Sequence, residues 1–511
     1  MFITTLAVCL ISCIALARTQ SVTNSSVLES FTTKPRVFVL TDIANEPDDE
    51  MSLTRFLLYA NHFSIQGIAA TTSTWLRNET FAWQIQDKVL EWGEVRDNLT
   101  KHAEGWPETE ELLGKVYSGL PVYGLEGIGE GKDSNASMAL VAAVDEASAD
   151  DPLWVPIWGG ASVLAQALWT VQETRTQVDA ASFVAKLRVY AISDQDDAGP
   201  WIRSHFPDLF YIASIHAFSL QVLLWMAIPN TEHFSRYRLA TWIGISGELY
   251  NDFDVGGPDS SLVSNDWLES NIRSSGSVFA TNYPRFAYIM EGDTPSFLNL
   301  IQNGLSARDH PNWGGWGGRY GRTTNKSNQW VDSIAWKVPG IDGRNYTSNQ
   351  ATIWQWRKAY QYGFAGRMNW TATADFGAVN HNPRLYINGT GGSEYLYIEV
   401  DPGTSVVLDA RESFDPDDDD QVVYTWSQDF SASLPGTGDN QIPVLRIEEG
   451  EGGKVVTVVV PSEDAIRNNG YWSLWRLMEG GLVHVLLEAW DNGLPPLVSY
   501  KRVVLKLRGF D

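Results

Sequence analysis

The stretch VFVLTDIANEPDDEMSLTRFLLYAN, residues 37–61, joins an apolar run to an apolar helical pattern through a short acidic segment. The run Val37–Leu40 predicts a buried strand, and the pattern Met51–Asn61 predicts an amphipathic helix. Like charges repel and buried carboxylates are costly, so this crowding needs a reason. Either the acids decorate a helix N-terminus, which the helix dipole favours, or they bind a hard cation, since Ca²⁺ takes six to eight oxygen ligands. The acids are Asp42, Glu46, Asp48, Asp49 and Glu50.

The chain up to about residue 380 alternates short apolar runs with longer amphipathic segments. This alternation predicts an α/β domain with a mainly parallel sheet and helices on both faces. In such sheets ligands bind outside the carboxyl ends of the strands, where the acidic segment lies. Predicted strands are Val37–Leu40, Ile65–Thr71, Leu153–Trp158, Leu187–Ile192, Leu209–Ile212 and Ala287–Met290, and predicted helices are Met51–Asn61, Thr80–Val95, Ser137–Ala147, Ala161–Thr174, Asp179–Lys186 and Ser296–Gln302.

The remainder of the chain reads as short β-runs separated by turns, which predicts an all-β sandwich of the immunoglobulin-like kind. We therefore expect an α/β domain over 35–382 and a C-terminal β-sandwich over 383–511, after a flexible leader over 18–34. The predicted C-terminal strands are Tyr395–Val400, Ser405–Leu408, Val422–Trp426, Val455–Val460, Leu482–Trp490 and Tyr500–Leu507.

The first 17 residues, MFITTLAVCLISCIALA, predict a secretory signal peptide, because they are apolar and end in a small-residue cleavage pattern. A membrane anchor is disfavoured because the run is short of a full span. Both cysteines, Cys9 and Cys13, lie within it, so no disulfide is expected in the mature chain. Glycosylation sequons support a secreted, extracellular glycoprotein, and they start at Asn24, Asn78, Asn98, Asn135, Asn325, Asn345, Asn369 and Asn388.

The net charge of −25 argues against nucleic acid and anionic membrane surfaces as partners. It favours neutral substrates or cations. The 22 Trp residues are core fillers first, but an exposed Trp suits stacking on a ligand face. Oligomeric state cannot be read from these features.

Three further stretches carry chemistry-bearing residues. ISDQDDAGPW, residues 192–201, is a second acidic strand end, or else an ordinary acidic turn. DHPNWGGWGGRYGR, residues 309–322, reads as a mobile aromatic lip, or alternatively as a packed loop filling the domain seam. DPDDDD, residues 415–420, lacks the spacing of an EF-hand; a calcium-stabilised turn and a solvated acidic turn both remain open.

The element strand–D-x-x-N-E-P-D-D–helix resembles the signature of nucleoside hydrolases, which place D-x-D-x-x-x-D-D after their first strand. GIAATTSTW (67–75), VPIWGGASVLAQAL (155–168) and MEGDTPSF (290–297) are similar to later elements of that fold. Over residues 34–511 the chain more closely resembles a secreted family of cellulose-binding proteins, which pair a nucleoside-hydrolase-like domain with an immunoglobulin-like domain. The fold is expected to transfer better than the function.

The resemblance implies a Ca²⁺ cofactor and a set of site residues. It implies Asp42 as catalytic base and metal ligand, Asp49 and Asp293 as further ligands, and the Trp158 carbonyl as another. Ala44 departs from the family pattern because it stands where the second Asp is expected, and Asn45 or Glu46 is the candidate to supply the missing oxygen through a bulged loop. Asp196, Asp197 and Glu291 are the candidate general acids. Expected substrate contacts are Asn45, Glu46, Asp48, Trp75, Gln195, Trp201, His310, Trp313, Trp316 and Arg319.

Two functions are compatible with these residues. One is a metal-dependent hydrolase of glycosides or N-glycosyl bonds in plant or cell-wall saccharides, in which a water attacks an anomeric carbon. The other is a non-catalytic cellulose- or polysaccharide-binding protein that retains the fold. The carbohydrate partner is common to both.

Overall fold

The computed structural model describes residues 27–214, 237–324, 326–418, 420–433, 442–468 and 472–510. Its first domain is built on an eight-stranded sheet in the order β3-β2-β1-β4-β5-β6-β8-β7, parallel except for β7, which pairs antiparallel with β8. The strands are β1 (Arg36–Thr41), β2 (Ser64–Ala70), β3 (Val116–Ser118), β4 (Leu153–Ile157), β5 (Leu187–Ala191), β6 (Phe210–Ala213), β7 (Tyr320–Arg322) and β8 (Gln329–Asp332).

Helices cover both faces of this sheet, as the sequence predicted. In β1 the side chains alternate, so that Val37 and Val39 join one buried apolar cluster while Phe38 and Leu40 join the other. The first seven helices are α1 (Pro47–Leu58), α2 (Ala82–Leu99), α3 (Thr109–Leu113), α4 (Asn135–Asp145), α5 (Ser162–Thr174), α6 (Gln177–Ala185) and α7 (Ala198–His205).

Strand β1 lies at the point where the strand order reverses. It pairs with β2 on one side and with β4 on the other. Beyond β2 the sheet continues to β3 at one edge, and beyond β4 it continues through β5, β6 and β8 to β7 at the other edge. The loops after β1 and β4 therefore diverge and leave a crevice at their carboxyl ends. The acidic segment that follows Thr41 lies at this crevice.

The segment Ala287–Met290 is not a strand, so that prediction is wrong. The Ser246 hydroxyl bonds both the N–H and the carbonyl of Met290, at 2.9 Å each, which removes these groups from any sheet pairing. Glu291 then adopts a positive φ of 56° and turns the chain. The predicted helix Ser296–Gln302 is reduced to Pro295–Leu298.

The later part of this domain contains short elements and one long helix. Strands β9 (Ala335–Pro339) and β10 (Asn345–Ser348) form a separate antiparallel pair. Among the described residues of this domain after α7, the helices are Glu248–Asn251, Asn265–Asn271, Val278–Thr281, Pro295–Leu298, Ala351–Trp354 and Arg357–Trp370.

The C-terminal part is a sandwich of two sheets, in the orders β11-β17-β16-β13 and β12-β15-β14. All its pairs are antiparallel except β11 with β17. The strands are β11 (Leu396–Val400), β12 (Ser405–Asp409), β13 (Val423–Gln428), β14 (Arg446–Glu449), β15 (Val455–Val459), β16 (Leu482–Trp490) and β17 (Val498–Leu507), and its helices are Phe430–Ser433, Glu463–Arg467 and Trp472–Glu479.

The predicted flexible leader is in part well packed. Residues 1–26, which include the predicted signal peptide, lie outside the described residues. From Val27 onward the chain is held against the first domain: the buried Glu29 carboxylate accepts hydrogen bonds from Arg367 and Asn61. The expectation of flexibility is therefore wrong for residues 27–34, because an ion pair anchors them.

Candidate functional site

The loop after β1 reverses sharply before helix α1 begins. The Thr41 hydroxyl accepts a hydrogen bond from the Ile43 N–H at 3.1 Å, and the Asn45 N–H donates to the Asp42 carbonyl at 3.3 Å. Ala44 sits at the apex with a positive φ of 89°, and it is exposed. Ala44, which stands where the acid is expected, is thus exposed, whereas Asp42 and Asn45 line the cavity described below.

Helix α1 begins at Pro47 and carries three acids in its first turn. Glu50 lies outside the site because it pairs with Lys88 at 2.9 Å. Asp49 is 4% exposed and accepts a hydrogen bond from the Thr41 hydroxyl. The positive end of the helix dipole favours these carboxylates, but it does not account for burying them together.

Three carboxylates from two distant segments converge at this helix end. Oxygen atoms of Asp48, Asp49 and Asp293 all lie within 4.8 Å of one another. This spacing fits a shared cation, because two oxygens that each lie about 2.3–2.6 Å from one Ca²⁺ are at most about 5 Å apart. Asp293 arrives from the turn after Met290, and its Oδ2 is buried without a hydrogen-bond partner in the described part of the chain. A buried carboxylate oxygen without a hydrogen-bond partner is suited to be a cation ligand.

Asp42 lies beside this trio. It is 2% exposed, and Ser73 supplies a hydrogen bond to its side chain. Gly159 approaches it so closely that a Cβ there would lie 2.6 Å from Asp42 Oδ1. The expected convergence of Asp42, Asp49 and Asp293 is therefore modified: Asp48, expected only as a sugar contact, completes the closest set of three.

The electrostatics of the cluster are those of a site built for positive charge. Burial, with a contribution from Glu46, raises the pKa of Asp42 to about 6. Burial, then Glu46 and Asp42, raises the pKa of Asp48 to about 7. For Asp293 burial and then Asp49 and Asp48 hold the pKa well above its ordinary value. A divalent cation reverses each of these effects.

Glu46 and Asn45, the two residues expected to supply the oxygen that Ala44 lacks, both line the cavity. Each is half-buried and lines the same space as the carboxylates. The Glu46 carboxylate acts to raise the pKa of all four acids of the cluster, Asp42, Asp48, Asp49 and Asp293. Asn45 and Glu46 both stay candidates for the oxygen that the family pattern places at Ala44.

The cavity above the acids has a volume of about 440 Å³, which is within the range of small-molecule sites. Its floor is acidic and its walls are aromatic. The Trp75 indole N–H bonds the Tyr237 hydroxyl at 3.2 Å, and Tyr250 packs edge-on against Tyr288 with ring centroids 5.7 Å apart. The lining residues include Asp42, Asn45, Glu46, Asp48, Asp49, Trp75, Gln195, Tyr237, Trp242, Tyr250, Asn251, Tyr288 and Asp293.

Gln195 and Trp158 meet at the cavity edge. The Gln195 amide donates a hydrogen bond to the Trp158 carbonyl, which the resemblance assigned to the metal. Trp158 follows β4 directly, and its indole N–H is bound to the Ser296 hydroxyl at 2.8 Å. In this arrangement the carbonyl is held by Gln195 at the edge of the acidic site.

Two of the predicted catalytic acids lie away from the cavity. Glu291 is fully buried in an ion pair with Arg55. Asp196 accepts a hydrogen bond from the Ala198 N–H at 3.0 Å and packs against Gly160, and burial raises its pKa to about 7. Neither lines the cavity. Asp197, the other candidate acid, accepts a hydrogen bond from the Leu125 N–H.

Five of the predicted substrate contacts also lie elsewhere. Trp201 stacks on His205 at 4.5 Å in a separate recess. The loop 309–322 fills the seam between the domains rather than forming a lip, because its apolar rings are buried there. Trp313 packs between His310 and His484, Trp316 bonds the Tyr500 hydroxyl at 3.4 Å, and Arg319 bonds the Asn312 and Ile334 carbonyls.

The sequence reasoning missed the aromatic wall formed by Trp242, Tyr250 and Tyr288. These residues lie in a segment of short helices and turns that has no regular periodicity. Tyr250 and Tyr288 are 58% and 57% exposed, so no buried apolar pattern marks them in the sequence. Their aromatic side chains are the only feature by which they could have been predicted as binding residues.

Among the described helices, none combines the length and apolar composition that a bilayer span requires.

Residues 36–320 match the family described as cellulose-binding Sde182, nucleoside hydrolase-like domain. Residues 405–507 match the family described as cellulose-binding protein Sde0182, C-terminal domain. No curated protein matches the chain.

A solved structure similar to the whole chain is that of a nucleoside hydrolase-related hypothetical protein from Saccharophagus degradans, described as associated with carbohydrate metabolism. It is 30% identical, with a TM-score of 0.71 over 93% of this chain and 100% of that chain. Mouse PcdhgC3 EC1-3 is 20% identical over 22% of this chain and 31% of that chain, with a TM-score of 0.14 that carries no argument.

Proposed function

The chain belongs to the cellulose-binding, nucleoside-hydrolase-like family, and from its acidic cavity we propose that it is a Ca²⁺-dependent hydrolase of glycosyl bonds in cell-wall saccharides. One observation carries the proposal: Asp48, Asp49 and Asp293 converge within 4.8 Å at the floor of an aromatic-walled cavity. Three of the cavity acids, Asp42, Asp49 and Asp293, are buried, and burying carboxylates together is costly unless a cation balances their charge.

Asp48, Asp49 and Asp293 are the residues that would hold the ion. A bound Ca²⁺ supplies an oxygen-seeking positive charge that orients sugar hydroxyls and makes water a better nucleophile. The hydroxyl of Thr41 fixes the orientation of Asp49, and the orphaned oxygen of Asp293 is the natural ligand from the far side.

Asp42 is placed to act as the general base. It borders the cation-binding trio without belonging to the closest set, and it lines the cavity. From there its carboxylate takes the proton of a water that adds to the anomeric carbon. The close packing of Gly159 keeps the carboxylate in that position, because no side chain intrudes.

Glu46 is the remaining acid able to protonate the leaving group. The three predicted general acids, Asp196, Asp197 and Glu291, do not line the cavity, whereas Glu46 does. Burial raises its pKa above the ordinary value, which favours a carboxyl group that still carries its proton. Asn45 beside it can bond a sugar hydroxyl, and Trp75 offers an exposed ring face for stacking.

The test is hydrolysis of a panel of cello-oligosaccharides, aryl glycosides and nucleosides, with CaCl₂ or with EGTA. We expect the protein to hydrolyse at least one saccharide in CaCl₂ and to lose this activity in EGTA. In Asp42→Asn and in Asp49→Asn the rate should fall at least ~100-fold, because a general acid–base group contributes on that scale. Asp97→Asn, an exposed acid on α2, is the matched control and should retain full rate. Full activity in the Asp42→Asn and Asp49→Asn variants would exclude this mechanism.

A second candidate, saccharide binding without catalysis, is favoured by the loss of the second family acid at Ala44 and by the absence of Asp196 and Glu291 from the cavity lining. It predicts retention on insoluble cellulose or another glycan that weakens when the cavity wall is cut back by Trp75→Ala. Trp83→Ala, which removes a Trp of similar exposure on α2, is the control. Retention on none of these glycans, or equal retention of both variants, contradicts it.

We also propose that the protein is secreted. The apolar 1–17 segment and the sequons support this location. Expression in a eukaryotic host should release a glycoprotein into the medium whose mass falls on treatment with an N-glycosidase.

A further inference from the structure

A second acidic cluster lies in the C-terminal domain, on the loop between β12 and β13. Oxygen atoms of Asp415, Asp417 and Asp420 all lie within 4.8 Å of one another. The Asp415 side chain accepts a hydrogen bond from the Asp417 N–H at 2.9 Å, and the Asp420 N–H donates to the Asp417 carbonyl at 3.1 Å, so the loop folds back on itself. An exposed acidic turn alone would be unremarkable.

A fourth carboxylate, from a distant part of the chain, lies beside this cluster of three. Strand β16 ends at Trp490, which pairs with Val423 at the start of β13, so Asp491 emerges beside the acidic loop. The Gln421 N–H donates to Asn492 Oδ1 at 2.7 Å, which ties the two loops together across 71 residues. The register of the sheet therefore brings Asp491 to the cluster.

Asp491 is the observation that points to a ligand. It is 5% exposed, and its Oδ1 accepts three hydrogen bonds, from Asn380, Gly493 and Leu497, at 2.9, 3.0 and 2.9 Å. Its Oδ2 is buried and has no hydrogen-bond partner within the described residues, and the same is true of Asp415 Oδ2. A buried carboxylate oxygen is normally paired, so each of these two atoms lacks a partner.

These two oxygens belong to carboxylates that face the other acids. Burial, and after it Asp491 and Asp417, raises the pKa of Asp415 to about 7. Burial and Asp420 raise the pKa of Asp491 to about 6. The nearby basic side chains are His381, whose Nδ1 lies 2.9 Å from Asp417 Oδ1, and Arg384, which acts on Asp415 from a greater distance. They do not supply the missing bonds of Asp415 Oδ2 and Asp491 Oδ2.

We propose that Asp415, Asp417, Asp420 and Asp491 bind a Ca²⁺ ion at the junction of the two domains. Four carboxylates supply the all-oxygen environment that Ca²⁺ prefers, and water can fill its remaining positions. Mg²⁺ is disfavoured because it demands octahedral geometry and releases its water reluctantly.

The ion would join the two domains as well as stabilise a loop. Asn380 and His381 lie in the segment between the helix Arg357–Trp370 and the sandwich. Asn380 Nδ2 bonds Asp491, and the His381 N–H bonds Asp417 Oδ2 at 2.7 Å. A cation that fixes these two acids also fixes the ends of that segment, so calcium binding couples to the docking of the domains.

The experiment is calorimetric titration of the full chain with CaCl₂, together with thermal unfolding in CaCl₂ and in EGTA. We expect Asp491→Asn to reduce the Ca²⁺ affinity of the junction site at least ~10-fold, so that the titration shows one equivalent fewer than in wild type. The part of the calcium-dependent rise in Tm that comes from this site should also be lost. Asp418→Asn, an exposed acid of the same loop, is the matched control and should bind as wild type does. MgCl₂ should give no comparable shift.

This site is independent of the proposed function. Asp293→Asn should remove the equivalent bound in the cavity and leave the junction site intact, so each variant reports on one site. If Asp491→Asn fails to fold, Asp420→Asn carries the same test. Equal Ca²⁺ stoichiometry and equal Tm shifts in the folded cluster variants and in Asp418→Asn would overturn the proposal.

Discussion

Arg55 and Glu291 form a fully buried ion pair that ties helix α1 to the turn carrying Asp293. Arg55 Nη2 lies 3.1 Å from Glu291 Oε1, and the guanidinium stacks over the Phe364 ring at 4.0 Å. Tyr283 and Thr294 donate further hydrogen bonds to Glu291 at 2.5 and 2.9 Å. Because Glu291 stands two residues before Asp293, this pair positions the metal-binding acid without touching the cavity.

Glu291→Gln should therefore destabilise the protein by about 3–5 kcal/mol, because it leaves the Arg55 charge buried without its partner. Urea unfolding followed by circular dichroism measures the loss. Glu463→Gln is the control, since its pair with Arg467 is exposed and should contribute less than about 1 kcal/mol. Equal unfolding midpoints for the two variants would contradict this role of the pair.

Asp293→Asn should change stability in opposite directions with and without calcium. In EGTA the variant should be more stable than wild type, because one of several mutually repelling buried carboxylates is gone. In excess CaCl₂ the order should reverse, since wild type gains about 2.7 kcal/mol at about 100 times the Kd and the variant gains less. The Tm of both proteins, measured by thermal unfolding in EGTA and in CaCl₂, tests this prediction. If the variant is less stable than wild type in EGTA, repulsion among these carboxylates does not destabilise the calcium-free protein.

The part of the calcium-free protein's stability that depends on Asp42 and Asp48 should fall as the pH rises from about 4 to about 7. Asp42 and Asp48 have folded-state pKa values of about 6 and about 7, both raised from 3.8 chiefly by burial. At these two groups the folded state binds more protons than the unfolded state over this range, so their contribution to the free energy of unfolding falls with rising pH. Excess CaCl₂ should flatten the profile by favouring the ionised carboxylates.

The measurement is the urea midpoint against pH, in EGTA and in CaCl₂, for wild type and Asp48→Asn. The difference between the two proteins isolates the contribution of Asp48 from that of other titrating groups. One such group is Glu29: burial alone would raise its pKa, but Arg367 and His62 hold that pKa well below its ordinary value. A difference that does not change between about pH 4 and about pH 7 would show that Asp48 titrates normally.

The sequence predicted the strands around the site well because their signal is local. Buried parallel strands are short apolar runs, and their carboxyl ends meet at one edge, which brought Asp42, Gln195 and Trp158 to the same crevice. The two faces of the central sheet and the β-rich C-terminal part followed from the same periodicity.

The remaining errors arose where long-range packing decides the position of a side chain. Glu291 and Asp293 are two residues apart, yet the positive φ of Glu291 sends one to Arg55 and the other to the cation-binding trio. The glycines around Trp313 and Trp316 suggested an exposed loop, but the C-terminal sandwich covers both rings, which are 4% and 3% exposed. Neither outcome has a local signature.

Gly159→Ala should separate catalysis from calcium binding. A Cβ at this position would lie 2.6 Å from Asp42 Oδ1 and 2.8 Å from Asp42 Cγ, so the carboxylate must move. The atoms nearest to that Cβ belong to Asp42 rather than to the trio Asp48, Asp49 and Asp293, so the ion should still bind. We expect at least a ~10-fold loss of saccharide hydrolysis with a calcium affinity within about 3-fold of wild type.

Gly114→Ala is the matched control, because it follows the short helix α3 and its added Cβ would meet only backbone atoms at 3.4 and 3.5 Å. Hydrolysis and calcium titration are measured on both variants. If Gly159→Ala hydrolyses as fast as Gly114→Ala, Asp42 does not need its observed position and cannot be the base. If it loses calcium binding as well, Asp42 is a ligand of the ion and belongs to the closest set around it.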